Sequence, residues 1–448
     1  MRLAPRQALL DRLVPLLAGA TVLAFAAGSS SVPRVTSAAH PLRWVVLAAL
    51  LVAAAAWALP RLAVPRGASV AASALVCLAL LSSAWSVEPR TTFERSVSLG
   101  LLFCTCALLA AAARVRPDRV SAVLAGLVGG AVAVGVAGLI LLAVDHGRAV
   151  EPGSYEAPAR FRGFGQDPNT VALLFGVVTP LAVWGLVAGR RRGLSLAALA
   201  LLAGTIVATG SRGGLVAAAV GSAAVVLAGL RGRRPLALGL AAVAAATALG
   251  AGVQSLPKAQ SLPPPAPAAA ATKPKAKPAP VRQPRYVDAE AAYPLDADVG
   301  APLPGGGQPT ITRSFFGTSG RIDAWRGALH DVARRPLVGH GFGTEGDVFV
   351  DRYYYFVGGL PENSYIGLAL QLGAAGLIAL GALVLVLAGA GLRGLQGPRR
   401  DLAAACLGVL AAGLVAGLFQ SYFYSVGNIA AAALWIPAFL LGTVAAYG

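Results

Sequence analysis

Charged residues are scarce in this chain of 448: Asp, Glu, Lys and Arg together make up 12%, about half the roughly 25% of soluble globular domains. So thin a charge complement cannot clothe a water-facing surface of this size, and it excludes an ordinary soluble enzyme. Lysine is scarce, and histidine and cysteine number four each. The cysteines (Cys77, Cys104, Cys106, Cys406) fall in apolar runs without metal-ligand spacing to histidines, which fits small packing residues. No HExxH, CxxC or paired-carboxylate spacing occurs, so neither a metal nor another cofactor is expected. The turn "GHGFG" at 339–343 departs from GxGxxG and follows no strand, so a nucleotide loop is not supported. No repeat of 20–50 residues is present, which excludes solenoids. The net charge is +18, but no basic face with interleaved aromatics accompanies it, and nucleic acid is not an expected partner.

What the chain has in abundance is apolar sequence: 56% hydrophobic residues and a mean hydropathy of +0.69. Its apolar runs repeatedly reach the roughly 20 residues a helix needs to cross a bilayer. The expected fold is all-α, a polytopic transmembrane helical bundle of about 12 spans. The spans are 10–28, 42–60, 68–85, 96–113, 121–144, 169–188, 194–209, 212–230, 235–254, 363–391, 402–418 and 428–447. The first resembles a signal peptide, but is read as a retained span because the parity of the basic loops then works.

With the N-terminus inside, the inner segments carry 17 arginines, from Arg2, Arg6 and Arg12 to Arg393, Arg399 and Arg400, against Asp11, Asp118 and Asp401. Short loops of the other parity carry eight arginines. The positive-inside rule therefore places both termini in the cytoplasm. Spans one to nine occupy 1–254, and a large extracytoplasmic loop separates spans nine and ten. The loop begins with a Pro/Ala/Lys-rich part, 255–314, expected to be extended and disordered. Its second part, 315–362, is expected to fold. There Trp325, Leu329 and Val332 recur at helical spacing, which predicts an amphipathic helix from about Arg321 to Arg334, ended by Pro336. Spans ten to twelve fill 363–448.

The unusual polar residues gather at the outer helix ends, where free N–H groups and dipoles can meet a ligand. Arg212 lies in the turn "TGSRGG" between spans seven and eight, beside Ser211 and the amides that open span eight. A guanidinium with a helix N-terminus suits a phosphate oxyanion; the bland reading is an arginine that snorkels to lipid headgroups. Arg90, Arg95, Arg160, Arg162, Arg321 and Arg326 lie on the same side, against the positive-inside trend, and tilt the balance to phosphate. At the start of span ten stands Glu362, a helix cap or a general base. Asn363, Gly367 and Gln371 follow at i, i+4, i+8 on one polar, small-residue face. Asp167-Pro168 reads as the N-cap and first residue of span six.

Five stretches together resemble the O-antigen ligase and O-antigen polymerase superfamily: "SAWSVEPRTTFERS" (83–96), "RGFGQDPNTVALL" (162–174), "TGSRGGLVAA" (209–218), "GRIDAWRGALHDVARRPLVGHGFG" (320–343) and "ENSYIGLALQLGAAGL" (362–377). The resemblance implies a metal-independent bacterial glycosyltransferase of the cytoplasmic membrane, with its site on the outer face. It implies as partners an undecaprenyl-diphosphate-linked glycan, a saccharide or glycolipid acceptor, and the bilayer. It also implies that Arg212 and Arg321 or Arg326 hold the diphosphate, with Arg162 assisting. Glu362 would be the base, with Asn363 beside it; Gln371 and Ser211 would orient the substrate. Ligases of the family typically carry His-Asn where this chain has Glu362-Asn363, which turns the expectation towards a polymerase or a related transferase. Two rivals are a transporter or flippase of an anionic lipid-linked saccharide, which should carry midplane charges, and a non-catalytic envelope scaffold.

Overall fold

The computed structural model describes residues 4–59, 64–114, 116, 118–153, 158–256, 258–259, 310–311, 321–349 and 360–444. The Pro/Ala/Lys-rich part of the loop lies almost wholly outside the described residues. The described chain is helical apart from two short antiparallel pairs, β1 (Val150–Glu151) with β2 (Arg160–Phe161), and β3 (Lys258–Ala259) with β4 (Thr310–Ile311).

The helices follow the expected spans closely. They are α1 (Ala4–Gly28), α2 (Pro33–Ala58), α3 (Arg66–Leu81), α4 (Pro89–Ala113), α5 (Asp118–Val144), the short α6 (His146–Ala149), α7 (Pro168–Val187), α8 (Arg192–Thr209), α9 (Arg212–Gly229) and α10 (Arg233–Ser255). The loop contributes α11 (Arg321–Arg334) and the single turn α12 (Glu345–Val348), before α13 (Ser364–Gly394), α14 (Arg400–Ala416) and α15 (Ala431–Val444). Among the described residues ten helices are long and apolar enough to cross a membrane. The helices at the eleventh and twelfth expected spans are shorter, 17 and 14 residues. This is a multi-pass membrane protein.

Association of helices in lipid depends on close backbone approach at small residues and on polar contacts. Both appear here. Gly221 of α9 lies against Gly408 and Ala412 of α14 and Pro180 of α7, and Gly214 of α9 lies against Ala172 of α7. Gly126 and Gly130 of α5 face the backbone of Pro15 and Gly19 in α1. Helix α7 is enclosed by this packing, whereas α10 is largely exposed at the periphery.

One helix is interrupted. At Gly373, with φ of 60° and ψ of −155°, α13 breaks into two segments. The freed carbonyls of Leu370 and Gln371 accept N–H bonds from His340 and Gly341, at 3.0 and 2.9 Å. In return the N–H groups of Ala374 and Ala375 donate to Pro336 and Leu337, at 2.8 and 3.1 Å. Non-helical backbone within a span is tolerated where protein satisfies its polar groups. Four bonds to the turn after α11 do so here.

Away from this break, Arg119 of α5 joins four helices. It donates to Asp11 (3.1 Å), Gln7 (2.7 Å) and the carbonyls of Trp57 and Ala112, and its guanidinium stacks on the Trp57 ring at 4.4 Å. Asp11 also accepts from the Trp57 indole at 2.7 Å. Removing one partner of a buried ion pair leaves the other charge uncompensated. Asp11→Ala should therefore cost about 3 kcal/mol, the lower end for such pairs since Asp11 is part-exposed. Thermal unfolding in detergent checks this, and Arg119→Ala should have a similar effect.

Candidate functional site

The polar helix ends do converge. Helix α8 ends at Gly210, which at φ 63° turns the chain directly into α9. Ser211 caps α9 by accepting from Gly214 N–H, and its own N–H donates to the Thr209 hydroxyl. Arg212 is thus the first residue of α9. It lines a pocket with Asn169, Gly210, Ser211, Gly214, Arg321 and Gln420.

Two further guanidinium groups stand close enough to Arg212 to repel it, those of Arg321 and Arg160. Arg160 is 8% exposed and is clamped by the Thr209 carbonyl at 2.7 Å, Asn169 Oδ1 at 2.6 Å and Glu151 at 3.7 Å. Burial lowers its pKa from the usual arginine value, and Glu151 and Asp167 oppose that while Arg321 adds to it. Arg321, at the start of α11, donates through Nε (3.1 Å) and Nη2 (2.6 Å) to one oxygen of Glu362.

Glu362 is held at φ 49°, in the left-handed region where a non-glycine residue is rare. The cap of α13 is instead its neighbour. Asn363 Oδ1 accepts from the N–H groups of Tyr365 and Ile366, and its amide donates to the Leu418 carbonyl. Asp167 caps α7 in the expected way, accepting from Asn169 and Thr170.

The remaining expected residues fall elsewhere. Arg162 donates to the Gln166 carbonyl at 3.0 Å, closing its own turn, and does not line the Arg212 pocket. The arginine held against the turn between α8 and α9 is Arg160, through its bonds to the Thr209 carbonyl and Asn169. Arg326 is exposed on α11, five residues beyond Arg321 and so on a different face of the helix, and also lies outside that pocket. Gln371 is buried, where its Oε1 accepts from Gly343 N–H at 2.6 Å and its Nε2 donates to Glu345 at 3.3 Å. Its partner groups are therefore protein, and Asn363 is likewise occupied by the cap.

Glu345, which sequence reasoning passed over, is the centre of a second polar cluster. It is 3% exposed. Its Oε1 accepts from the Ser421 hydroxyl and its Oε2 from the Tyr424 hydroxyl, both at 2.6 Å. The carboxyl sits directly over Gly367 of α13, where a Cβ would collide with it and with the Tyr424 oxygen. The "small" position on the polar face is thus the seat of a carboxyl group. Burial pushes the Glu345 pKa up to about 7, against the lowering effects of Ser421, Tyr424 and Arg95. The same enclosure, with Glu345 beside it, raises the Tyr424 phenol well above its ordinary value.

Three pockets run in sequence. The Arg212–Arg321 pocket shares Gln420 with a cavity of about 420 Å³ that Glu362 and Asp167 line. That cavity shares Ser421 with another, of about 560 Å³, lined by Glu345, Gln371, Tyr424, Arg95, Arg43 and Trp44. Among the described residues no group of three or more His, Cys, Asp or Glu side chains is arranged to hold a metal.

Residues 197–381 match the family model described as O-Antigen ligase. The matched stretch contains three of the five resembling stretches, 209–218, 320–343 and 362–377, and spans Arg212, Arg321, Glu345, Glu362 and Gln371. A search of curated proteins finds no match. Arg160, Arg95 and Ser421 lie outside the matched O-antigen ligase segment but pack against it.

Substitution at the seat of Glu345 tests this arrangement. Gly367→Ala should destabilise the protein by about 1–3 kcal/mol through overpacking. Thermal unfolding measures the loss, and Tyr424→Phe in the same chain, which removes one crowded oxygen, should restore part of it.

Proposed function

We propose that the protein transfers a glycan from an undecaprenyl-diphosphate carrier to a sugar hydroxyl of a saccharide or glycolipid acceptor. The reaction would occur at the outer face of the cytoplasmic membrane, with both chain termini in the cytoplasm. The observation that carries this reading is the convergence of Arg160, Arg212 and Arg321 at the N-terminus of α9. Arg321 and Arg160 are each paired with one carboxylate, Glu362 and Glu151, so a diphosphate can take the place of Glu362 against Arg321 and set its charge beside Arg212. The N-terminus of α9, where the Gly214 amide is taken by the Ser211 cap, adds the positive end of the helix dipole. The O-antigen ligase match over 197–381 supports the class of reaction.

In this reading the diphosphate lies against Arg212 and Arg321, with Arg160 behind them as a fixed charge. As the bond between the anomeric carbon and the diphosphate oxygen breaks, negative charge grows on the leaving group. Preorganised cations stabilise it there without the help of a metal ion. Glu362, expected from sequence as the base, already holds Arg321 through one oxygen. We assign it the positioning of that guanidinium: the incoming diphosphate competes for Arg321, and Glu362 returns it to place after release. Ser211 caps the helix whose amides face the diphosphate. Glu362 in place of His fits a polymerase or a related transferase better than a standard ligase.

The test is transfer from a radiolabelled undecaprenyl-diphosphate oligosaccharide by purified protein in nanodiscs. Arg212→Ala and Arg321→Ala should each lower kcat/KM on the order of 10²- to 10³-fold, the loss typical of removing one group that stabilises a developing anion. Glu362→Gln should act mainly through donor KM, and EDTA should leave the wild-type rate unchanged. A product ladder identifies a polymerase, a single addition a ligase. Full activity of both arginine variants contradicts the site. Lipid movement across vesicles without any product makes the protein a transporter instead.

A further inference from the structure

A transferase of this kind must also remove the proton of the attacking hydroxyl, and among the described residues the arginine pocket holds no group suited to that. Ser421 does connect to one. It lines both the cavity beside Glu362 and the cavity beside Glu345. Its hydroxyl donates to Glu345 Oε1 at 2.6 Å and accepts from the backbone N–H of Asn363 at 3.2 Å. A serine oxygen has two lone pairs, so one remains to accept a proton from the cavity side. Glu345 is fixed from three directions by Ser421, Tyr424 and Gln371, and its carboxyl rests on Gly367. Both carboxyl oxygens are thereby held in place, and Ser421 connects them to the cavity beside Glu362.

We propose that Ser421 and Glu345 form a proton relay for an acceptor sugar hydroxyl bound where the two cavities meet. The inference rests on the transferase reading above. In the step, the acceptor oxygen attacks the anomeric carbon of the donor and forms the new glycosidic bond. The bond from that carbon to the diphosphate oxygen breaks, and its electron pair leaves with the lipid diphosphate. The acceptor proton passes to Ser421 Oγ while the Ser421 proton passes to Glu345. The neutral acid then returns its proton to water in the larger cavity.

Among the described residues, the charged and titratable groups around Glu345 are few. Arg95 comes from α4, Tyr424 from the segment after α14, and Arg43 from α2 on the same cavity, while Asp347 lies on its own short helix. Helix α13 brings only the uncharged Gln371. Burial dominates over these neighbours and sets the carboxyl to titrate at about 7. A base must be ionised to accept a proton, so the rate should climb as pH rises through about 7 and level off above it. General bases work best when they titrate near the working pH.

The experiment uses the full chain in nanodiscs, with a radiolabelled polyprenyl-diphosphate oligosaccharide as donor and acceptor, over roughly pH 5.5 to 8.5. Glu345→Gln should lose about 10²- to 10⁴-fold in kcat, the usual contribution of general base catalysis, and lose the pH limb. Its retention of donor on a filter should equal that of wild type. Ser421→Ala should also lower kcat with donor retention unchanged. By contrast, Glu362→Gln should weaken donor binding and keep the pH limb. A Glu345→Gln protein with wild-type rate and pH profile overturns the relay and leaves the transferase reading standing. Should that variant fail to fold, Ser421→Ala decides, and an unchanged rate and profile in it overturns the relay. Wild-type protein that retains donor but gives no product at any pH overturns the transferase reading, and the relay with it.

Discussion

The break at Gly373 is the constraint on which the rest of the site depends. A continuous α13 would keep its carbonyls to itself and offer the outer loop nothing to bind. Because the helix opens there, the turn after α11 inserts and exchanges four backbone hydrogen bonds with it. Two glycines make the approach possible from opposite sides: Gly373, packed on the Leu337–Val338 backbone, and Gly339, packed on the Gln371–Leu372 backbone. Both have positive φ. A side chain at either position would meet main chain, which cannot swing aside. The inserted turn fixes α11 on one side and α12 on the other. Those helices deliver Arg321 and Glu345, the two charged groups that a loop would otherwise leave unplaced.

From this anchor the electrostatics separate into two compartments. On the α9 side three guanidinium groups gather, two of them ion-paired, Arg321 with Glu362 and Arg160 with Glu151. On the α12 side, a carboxyl is buried among hydroxyl and amide donors and titrates near neutrality. Groups whose environments push them apart in this way suit a reaction that needs a fixed cation at one end and a proton acceptor at the other. The polar bridge between them is the 417–424 segment, whose Gln420 and Ser421 border successive pockets. That segment also closes the cap of α13, since Ser364 N–H donates to the Gly417 carbonyl and Ser364 Oγ donates to that of Gln420.

Much of this was legible in the sequence where local chemistry decides it. Apolar run length set the positions of the helices, and Asp167-Pro168 marked the start of α7. The spacing of Trp325, Leu329 and Val332 gave α11 its full extent, Arg321–Arg334. Arg212 at the mouth of α9 also followed from its flanking glycines. What stayed hidden depends on contacts between distant segments. Asn363 and Gln371 carry polar groups on the expected face, but whether those groups meet substrate or protein is settled by what packs on that face. Arg160 lies in β2 and Arg162 just beyond it, and the contacts of Arg160 with the Thr209 carbonyl of α8 and with Asn169 of α7 select it. Glu345 gave a faint signal, an acid in a glycine-rich turn of an acid-poor chain. Its burial required the break in α13, and "QLGAAGL" alone gives no hint that the helix opens there.

The most direct measurement is a cryo-electron microscopy structure of the full chain in nanodiscs with undecaprenyl diphosphate, the leaving product, bound. Phosphate density is expected within hydrogen-bond distance of Arg212 and Arg321 at the N-terminus of α9, with the Arg321–Glu362 pair opened. Density for the diphosphate elsewhere, with that ion pair intact and the α9 pocket empty at saturating lipid, would contradict that placement.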